Sequence, residues 1–226
     1  MAFLSVESLQ KSFVSPDGER RTIVDVRDFH LQAGQQLALR GESGSGKTTF
    51  LHLIAGILAA DRGSIRLGED DMAKLKEASR DRLRALTIGY IFQTFNLLQG
   101  YTCLENVLLA MSFGPGADTA HATSVLKRVG LGHRLHHYPR QLSTGQQQRV
   151  AVARAMANRP KLVLADEPTG NLDRKNAADS LGLIRETCVE NGSALLLVTH
   201  DGGVLASFEE AQDFAQLNRA SREAAS

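Results

Sequence analysis

The sequence predicts an α/β fold: a parallel sheet covered on both faces, an antiparallel β portion at the start, and a helical segment inserted before the sheet resumes. Three observations carry this. KLVLADE (161–167) and ALLLVTH (194–200) are continuous apolar runs separated by a helical pattern, as expected of strands buried on both sides. FLSVESLQKSF (3–13) instead alternates, as a half-exposed strand does. From about Asn96 to Arg159 the apolar spacing becomes helical, in ENVLLAM and SVLKRVGL.

Taken in order, the alternating strand is followed by the turn SPDGER (15–20), and TIVDVRDFHLQ resumes the alternation, so the chain opens on antiparallel strands. QQLALRG (35–41) is a short apolar strand running into a glycine-rich loop, and Thr48 to Leu58 reads as a buried helix. SIRLGED (64–70) gives a strand and turn, ASRDRLRAL (78–86) a polar helix, and IGYIFQ (88–93) a strand ending on Gln93. A helix is expected around Ala178 to Val189, and after His200 only one weak strand, near Asp213 to Leu217. Function in such a sheet gathers at the carboxyl ends of strands, where Gln93, Glu167 and His200 fall.

Composition removes several classes of function. The 226 residues are 42% hydrophobic and 23% charged, ordinary for a globular protein with a substantial core. With 26 basic and 25 acidic residues well mixed, there is no global field for nucleic acid. The longest apolar run, LHLIAGILAA (51–60), is about half a spanning helix and is interrupted by His52. MAFLSVESLQ lacks the pattern of a signal peptide. Cys103 and Cys188 form no CxxC pair and read as small apolar residues in a reducing compartment. Asn191-Gly-Ser193 is then a turn, not a glycosylation site, and a cytoplasmic location is expected. HRLHH (133–137) suggests metal at first sight but lacks a second ligand group.

GESGSGKT (41–48) matches G-x-x-x-x-G-K-[ST] between a strand and a helix, the context that motif requires. Gly41, Gly44 and Gly46 let successive N–H groups turn inward toward phosphate oxygens. Lys47 supplies a point charge to the β- and γ-phosphates, and the Thr48 hydroxyl can ligate Mg²⁺. LVLADE (162–167) ends in two carboxylates: Asp166 to reach the Mg²⁺ shell, Glu167 to polarise an attacking water. Gln93 and His200 are weak signals alone, a histidine after an apolar strand being more often a hydrogen-bonded core residue. Ser143, Thr144 and Gly145, in LSTGQQQRVAVARA (142–155), form a second donor-rich turn at a helix start, where anions bind. Ser143 also reads as an ordinary N-cap, and the two readings do not compete.

The set GESGSGKT, Gln93, LSTGQ, LVLADEP, NLD and TH, in this order and spacing, closely resembles the nucleotide-binding subunit of ATP-binding cassette (ABC) transporters, over almost the whole chain. The resemblance implies a P-loop (RecA-like) ATPase core over 1–95 and 160–226, with an antiparallel β subdomain, and an inserted helical signature subdomain over 96–159. It implies ATP held by Gly41, Glu42, Ser43, Gly44, Ser45, Gly46, Lys47, Thr48 and Thr49, with Mg²⁺ on Thr48, Gln93 and Asp166. Glu167, Gln93 and His200 become the catalytic set. Phe13 falls where the family stacks an aromatic on adenine, although it also suits a core strand position. Ser143, Thr144, Gly145, Gln146 and Asp173 would contact the ATP held by a second copy, with Asn171 and Leu172 in the crossing loop. TFNLLQGYTCLENV (94–107) would face an integral membrane permease through exposed Phe95, Leu97 and Leu98.

The implied protein is a homodimeric Mg-ATPase, peripheral on the inner face of the membrane, with no nucleic acid and no direct membrane insertion. DEPTGNLD, QQQRVAVARA and FQTFNLL…ENV most resemble the branch of lipoprotein-releasing, macrolide-exporting and peptide-resistance ATPases, and cell-division cassettes share DEPTGNLD. The alternative is a signalling cassette of the cell-division kind, which couples to a membrane protein without transport. A DNA-repair ATPase would need a coiled coil or zinc insertion between Lys47 and Ser143, and that stretch has neither heptads nor CxxC. Two departures from the family stand out: Thr144 replaces a glycine, and the chain after His200 is short and polar.

Overall fold

The computed structural model describes residues 2–223. They fall into two compact units, one formed by the chain up to Asp81 and from Leu196 on, the other by Arg82–Leu195.

The first unit opens with two long antiparallel strands, β1 (Ala2–Val14) and β2 (Arg20–Gln32). Their alternation, which slips by one residue at Glu7–Ser8 and at Arg27–Asp28, buries Leu4, Val6, Leu9, Val24, Val26 and Leu31. β3 (Gln36–Arg40) then leads into α1 (Lys47–Ile54), followed by β4 (Arg62–Leu67) and β5 (Asp70–Asp71). The antiparallel sheet has the order β2-β1-β4-β5. The Asp61 carboxylate braces it, taking hydrogen bonds from the Ser12 N–H, Lys11 and Arg20. The first of these donors does most to hold its pKa below the usual carboxylate value. Helix α1 stops four residues before the expected Leu58. Gly56 adopts φ 65°, and a Cβ there would lie 2.7 Å from Met72 Cε, so the chain turns away.

A polar helix, α2 (Glu77–Thr87), carries the chain into the second unit, which holds β6 (Ile88–Ile91), α3 (Cys103–Ser112) and α4 (Thr119–Arg128). A 3₁₀ turn (Pro139–Gln141) precedes α5 (Thr144–Met156), and then come β7 (Leu162–Asp166), α6 (Arg174–Asn191) and β8 (Ala194–Thr199), whose last four residues belong to the first unit. β6 and β7 pair in parallel, and every residue of β7 is buried, as its apolar run requires. α6 is longer than expected because Asp173 caps its start, accepting from the N–H groups of Lys175 and Asn176. Both cysteines are free and buried; burial pushes the Cys188 thiol up to about 12 and raises Cys103, consistent with use as small apolar residues.

The chain closes in the first unit with α7 (Gly202–Leu205), β9 (Glu210–Asp213), α8 (Phe214–Leu217) and α9 (Ala220–Glu223). β9 pairs in parallel with β3. The final strand therefore ends where the expected one began. Asp213 caps a helical turn instead, accepting from the Ala215 N–H, and Phe214 is buried against Phe50 at 5.3 Å between ring centroids. The described part of the tail is packed through Val204, Phe208 and Phe214.

Candidate nucleotide site and signature turn

In the first unit, β3 ends at Arg40 and the Gly41 N–H donates to the Thr199 carbonyl at the end of β8, 3.4 Å away. His200 is the next residue, exposed, so it stands one position from the strand end that anchors the glycine loop. The loop needs its glycine at position 46: φ is 95°, and a Cβ would sit 2.8 Å from the Ile23 carbonyl oxygen. Gly46 is also the N-cap of α1, and among the described residues no side chain caps that helix. A helix start of this kind, at the positive end of the helix dipole, suits an anion. The buried Lys47 folds back over the loop, its Nζ donating to the carbonyls of Gly41 and Glu42 at 2.7 Å each. Ser45 Oγ is buried without a hydrogen-bond partner among the described residues. Glu42, Ser43, Gly44 and Thr48 are exposed, and Thr49 is half-buried. A cavity of about 510 Å³ opens on residues 40–45, bounded also by residues 21–23 of β2 and by the chain after β9.

Phe13 is not a core residue. It lies opposite Arg21 on β1, is 42% exposed, and has the Lys11 ammonium 5.5 Å from its ring centroid.

In the second unit, β7 delivers Asp166 buried at its end, and Glu167 follows with φ 43°. Burial pushes the neighbouring Tyr90 hydroxyl to a raised pKa, and the Asp166 carboxylate adds to the rise. Gln93 lies two residues beyond β6, and its side chain and that of Glu167 both lie close to Gly170. A Cβ at Gly170 would be 3.6 Å from Gln93 Nε2 and 3.9 Å from Glu167 Cβ, and the Gly170 N–H donates to the Glu167 carbonyl at 3.1 Å. Asn171 Nδ2 donates to the Gln93 carbonyl at 2.7 Å, and Leu172 turns back onto Thr169.

The signature turn is in the same unit. Ser143 caps α5 in a reciprocal box: its Oγ accepts from the Gln146 N–H, and Gln146 Oε1 accepts from the Ser143 N–H. Ser143 and Thr144 are exposed. Thr144 occupies the first helical position of α5, where the backbone makes no demand for glycine. Gly145 faces α6, a Cβ there lying 3.1 Å from Asn176 Oδ1, and Asn176 is hydrogen-bonded to Asp173. The signature turn and Asp173 are therefore neighbours on one surface.

The loop after Gln93 differs from expectation. Phe95 and Leu97 are only 8% and 7% exposed, and Leu98 alone of the three is open, at 42%. Phe95 and Asn96 take φ 60° and 48°, and the Arg154 guanidinium from α5 donates to both of their carbonyls, at 2.7 Å for Phe95. This pinning turns Phe95 and Leu97 inward. The same helix reaches the loop after β7: buried Gln148 donates through Nε2 to the Pro168 carbonyl at 2.8 Å. Sequence reasoning missed Gln148 and Arg154. A signal existed for Gln148, which shares the i, i+3, i+4, i+7 stripe of Ala151, Val152 and Ala155, all buried.

A phosphate-binding loop between strand and helix, with an acid-ended strand, defines a nucleoside-triphosphate hydrolase. The sequence profile described as ABC transporter matches residues 24–170, and the chain belongs to that family. The lipoprotein-releasing system ATP-binding protein LolD of Shewanella oneidensis is 43% identical over 202 residues, covering 88% of this chain and 87% of its own. Its counterpart from Hydrogenovibrio crunogenus is also 43% identical, with the same coverage. Among solved structures, the ATP-binding cassette MJ0796, in a dimeric post-hydrolysis state bound to ADP and Pi, matches with a TM-score of 0.85 at 32% identity, over 96% of this chain and 95% of that one. The chain is an ATP-binding, ATP-hydrolysing subunit of the ABC type. Among the described residues no helix is long and apolar enough to cross a membrane.

Proposed function

We propose that this protein is the ATPase of a lipoprotein-releasing system, acting as a homodimer on the cytoplasmic face of a membrane through a separate permease. The observation that carries the choice of cargo is the 43% identity to LolD proteins along 88% of the chain. Residues 41–49 cradle the phosphates, Lys47 turning its charge from the loop carbonyls to the β- and γ-phosphates, and Phe13 stacks on the adenine. Stacking is supported by an exposed ring on β1. Thr48, Asp166 and Gln93 offer hydroxyl, carboxylate and amide oxygens, the hard donors that Mg²⁺ takes, so the residues fit that ion. Bound Mg²⁺ would neutralise phosphate charge. Glu167 orients the water that attacks the γ-phosphorus, with Gln93 and His200 positioning water and phosphate. The helical segment 96–159 presents Ser143, Thr144, Gly145 and Gln146, which with Asp173 close on the ATP of the second copy.

Depletion of the protein should leave lipoproteins in the membrane where they are acylated, and re-expression of the wild type, but not of Glu167→Gln, should restore release. Normal lipoprotein sorting in depleted cells, alongside intact ATPase activity of the purified protein, would remove lipoprotein release and leave the enzyme.

A further inference from the structure

The chain after His200, short and polar, contains a polar residue buried as deeply as any in the core. Asn218 is 0% exposed. Its Oδ1 accepts from the Asp25 N–H at 2.8 Å, and its Nδ2 lies within donating distance of the Ile23 carbonyl (2.9 Å), the Ser45 carbonyl (3.1 Å) and Ser221 Oγ (3.2 Å). The amide orientation follows from these partners, because carbonyls only accept and a backbone N–H only donates. The main chain adds an antiparallel bridge between Asn218 and Val26, and the Arg219 N–H donates to the Asp25 carbonyl at 2.8 Å. One buried side chain thus joins three distant segments: β2, the glycine loop and the C-terminal tail.

We propose that Asn218 is a positioning residue for the phosphate loop, holding the Ser45–Gly46 peptide in its binding orientation. A trans peptide is planar, with its C=O and N–H pointing in opposite directions. Anchoring the Ser45 carbonyl therefore fixes the direction of the Gly46 N–H, a donor of the cradle. The same point is where the loop comes closest to its support. A Cβ at Gly46 would meet the Ile23 carbonyl oxygen at 2.8 Å and Asn218 Nδ2 at 3.5 Å. Ile23 and the Asn218 partner Ser221 both line the 510 Å³ cavity on which the loop opens. The tail is a wall of the nucleotide cavity, and Asn218 is its attachment to the loop.

This inference rests on the reading of residues 41–49 as the phosphate cradle, and the test separates the two. Asn218→Leu keeps the size and adds no charge that would repel phosphate. Binding of fluorescent ATP and ADP is measured well below the melting temperature, with folding verified by circular dichroism. Affinity for both nucleotides should fall about tenfold, while kcat at saturating ATP stays within about twofold. A folded Asn218→Leu protein with wild-type affinity, differing only in melting temperature, would overturn the proposal. Lys47→Ala is the companion. If it binds nucleotide as the wild type does, the cradle and the proposal both fall; if it loses binding while Asn218→Leu does not, only the proposal falls. Should Asn218→Leu fail to fold, hydrogen exchange of the wild type decides. ATP must slow exchange at residues 214–221 together with 41–49, and unchanged exchange in the tail would overturn the proposal.

Discussion

At Glu167 the backbone sits at φ 43°, a conformation that costs a non-glycine residue of order 1–3 kcal/mol. It persists because its neighbours are fixed: Asp166 is buried at the end of β7, the Pro168 carbonyl is held by Gln148, and the Gly170 N–H closes onto the Glu167 carbonyl. Glu167→Gln keeps that backbone and the side-chain shape while removing the charge proposed to orient water. Hydrolysis should be nearly abolished, nucleotide binding retained, and the melting temperature nearly unchanged; wild-type turnover would remove Glu167 from its role. Phe95 and Leu98, by contrast, separate into different kinds of residue. Phe95→Asp would bury a charge in a site that is 8% exposed and should destabilise by about 3 kcal/mol or more. Leu98→Asp, at a 42% exposed position, should change stability by less than about 0.5 kcal/mol and isolated ATPase activity little, yet weaken permease binding. Pull-down that survives Leu98→Asp would move the permease contact elsewhere. The sequence could not separate these two. Both are apolar residues in a loop, and the inward turn of Phe95 depends on left-handed backbone pinned by an arginine 59 positions away.

Helix α5 is the element through which the second unit's loops are tied together, capped at Ser143 and reaching Pro168 through Gln148 and Phe95 and Asn96 through Arg154. Burial lowers the Arg154 pKa, so its charge is held by those carbonyls at a desolvation cost. Arg154→Ala should cost about 2 kcal/mol of stability and lower kcat with little change in KM for ATP, because the phosphate loop is untouched. Arg154→Lys, able to serve one carbonyl well but not both, should fall between. A rise in KM at constant kcat would contradict this. At the start of α6, the backbone N–H and then the side chain of Asn176 hold Asp173 below its ordinary value of 3.8. A depressed carboxylate stabilises fully above its unfolded pKa and loses that contribution as pH falls through the lower folded value. The melting-temperature gap between wild type and Asp173→Ala should therefore be constant at neutral pH and close only below about pH 4. Elements such as β1, β2, β7 and β8 are legible in sequence because burial imposes a period of two or a continuous apolar run. The contacts of Arg154, Gln148 and Asn218 are not, since their partners are mostly backbone groups, which every residue carries and no pattern marks. The helical turn after Asp213 was hidden for a related reason: its cap is local, but the burial of Phe214 against Phe50 is tertiary.

For the whole molecule, the question is what the signature turn serves. Ser143 and Thr144 are exposed at a capped helix start, and Gly145 lies beside Asn176, the hydrogen-bond partner of Asp173, so the turn and Asp173 share a surface. If that surface closes on the ATP of a second copy, each site takes its phosphate loop from one subunit and its turn from the other. Two dead proteins then test the assembly. Lys47→Ala spoils the loop and Ser143→Ala the turn, and a homodimer of either has both composite sites damaged. In a mixed dimer the Lys47→Ala loop faces the Ser143→Ala turn, so one site carries both defects and the other pairs an intact loop with an intact turn. Mixing should restore nucleotide capture at one site per mixed dimer. Trapped nucleotide is counted along with released phosphate, because hydrolysis stays low if both sites must fire together. Were each turn to serve the ATP of its own subunit, no mixed dimer would hold an undamaged site. Cross-linked mixed dimers without any recovery of capture would therefore mean that residues 143–146 do not complete a partner's site.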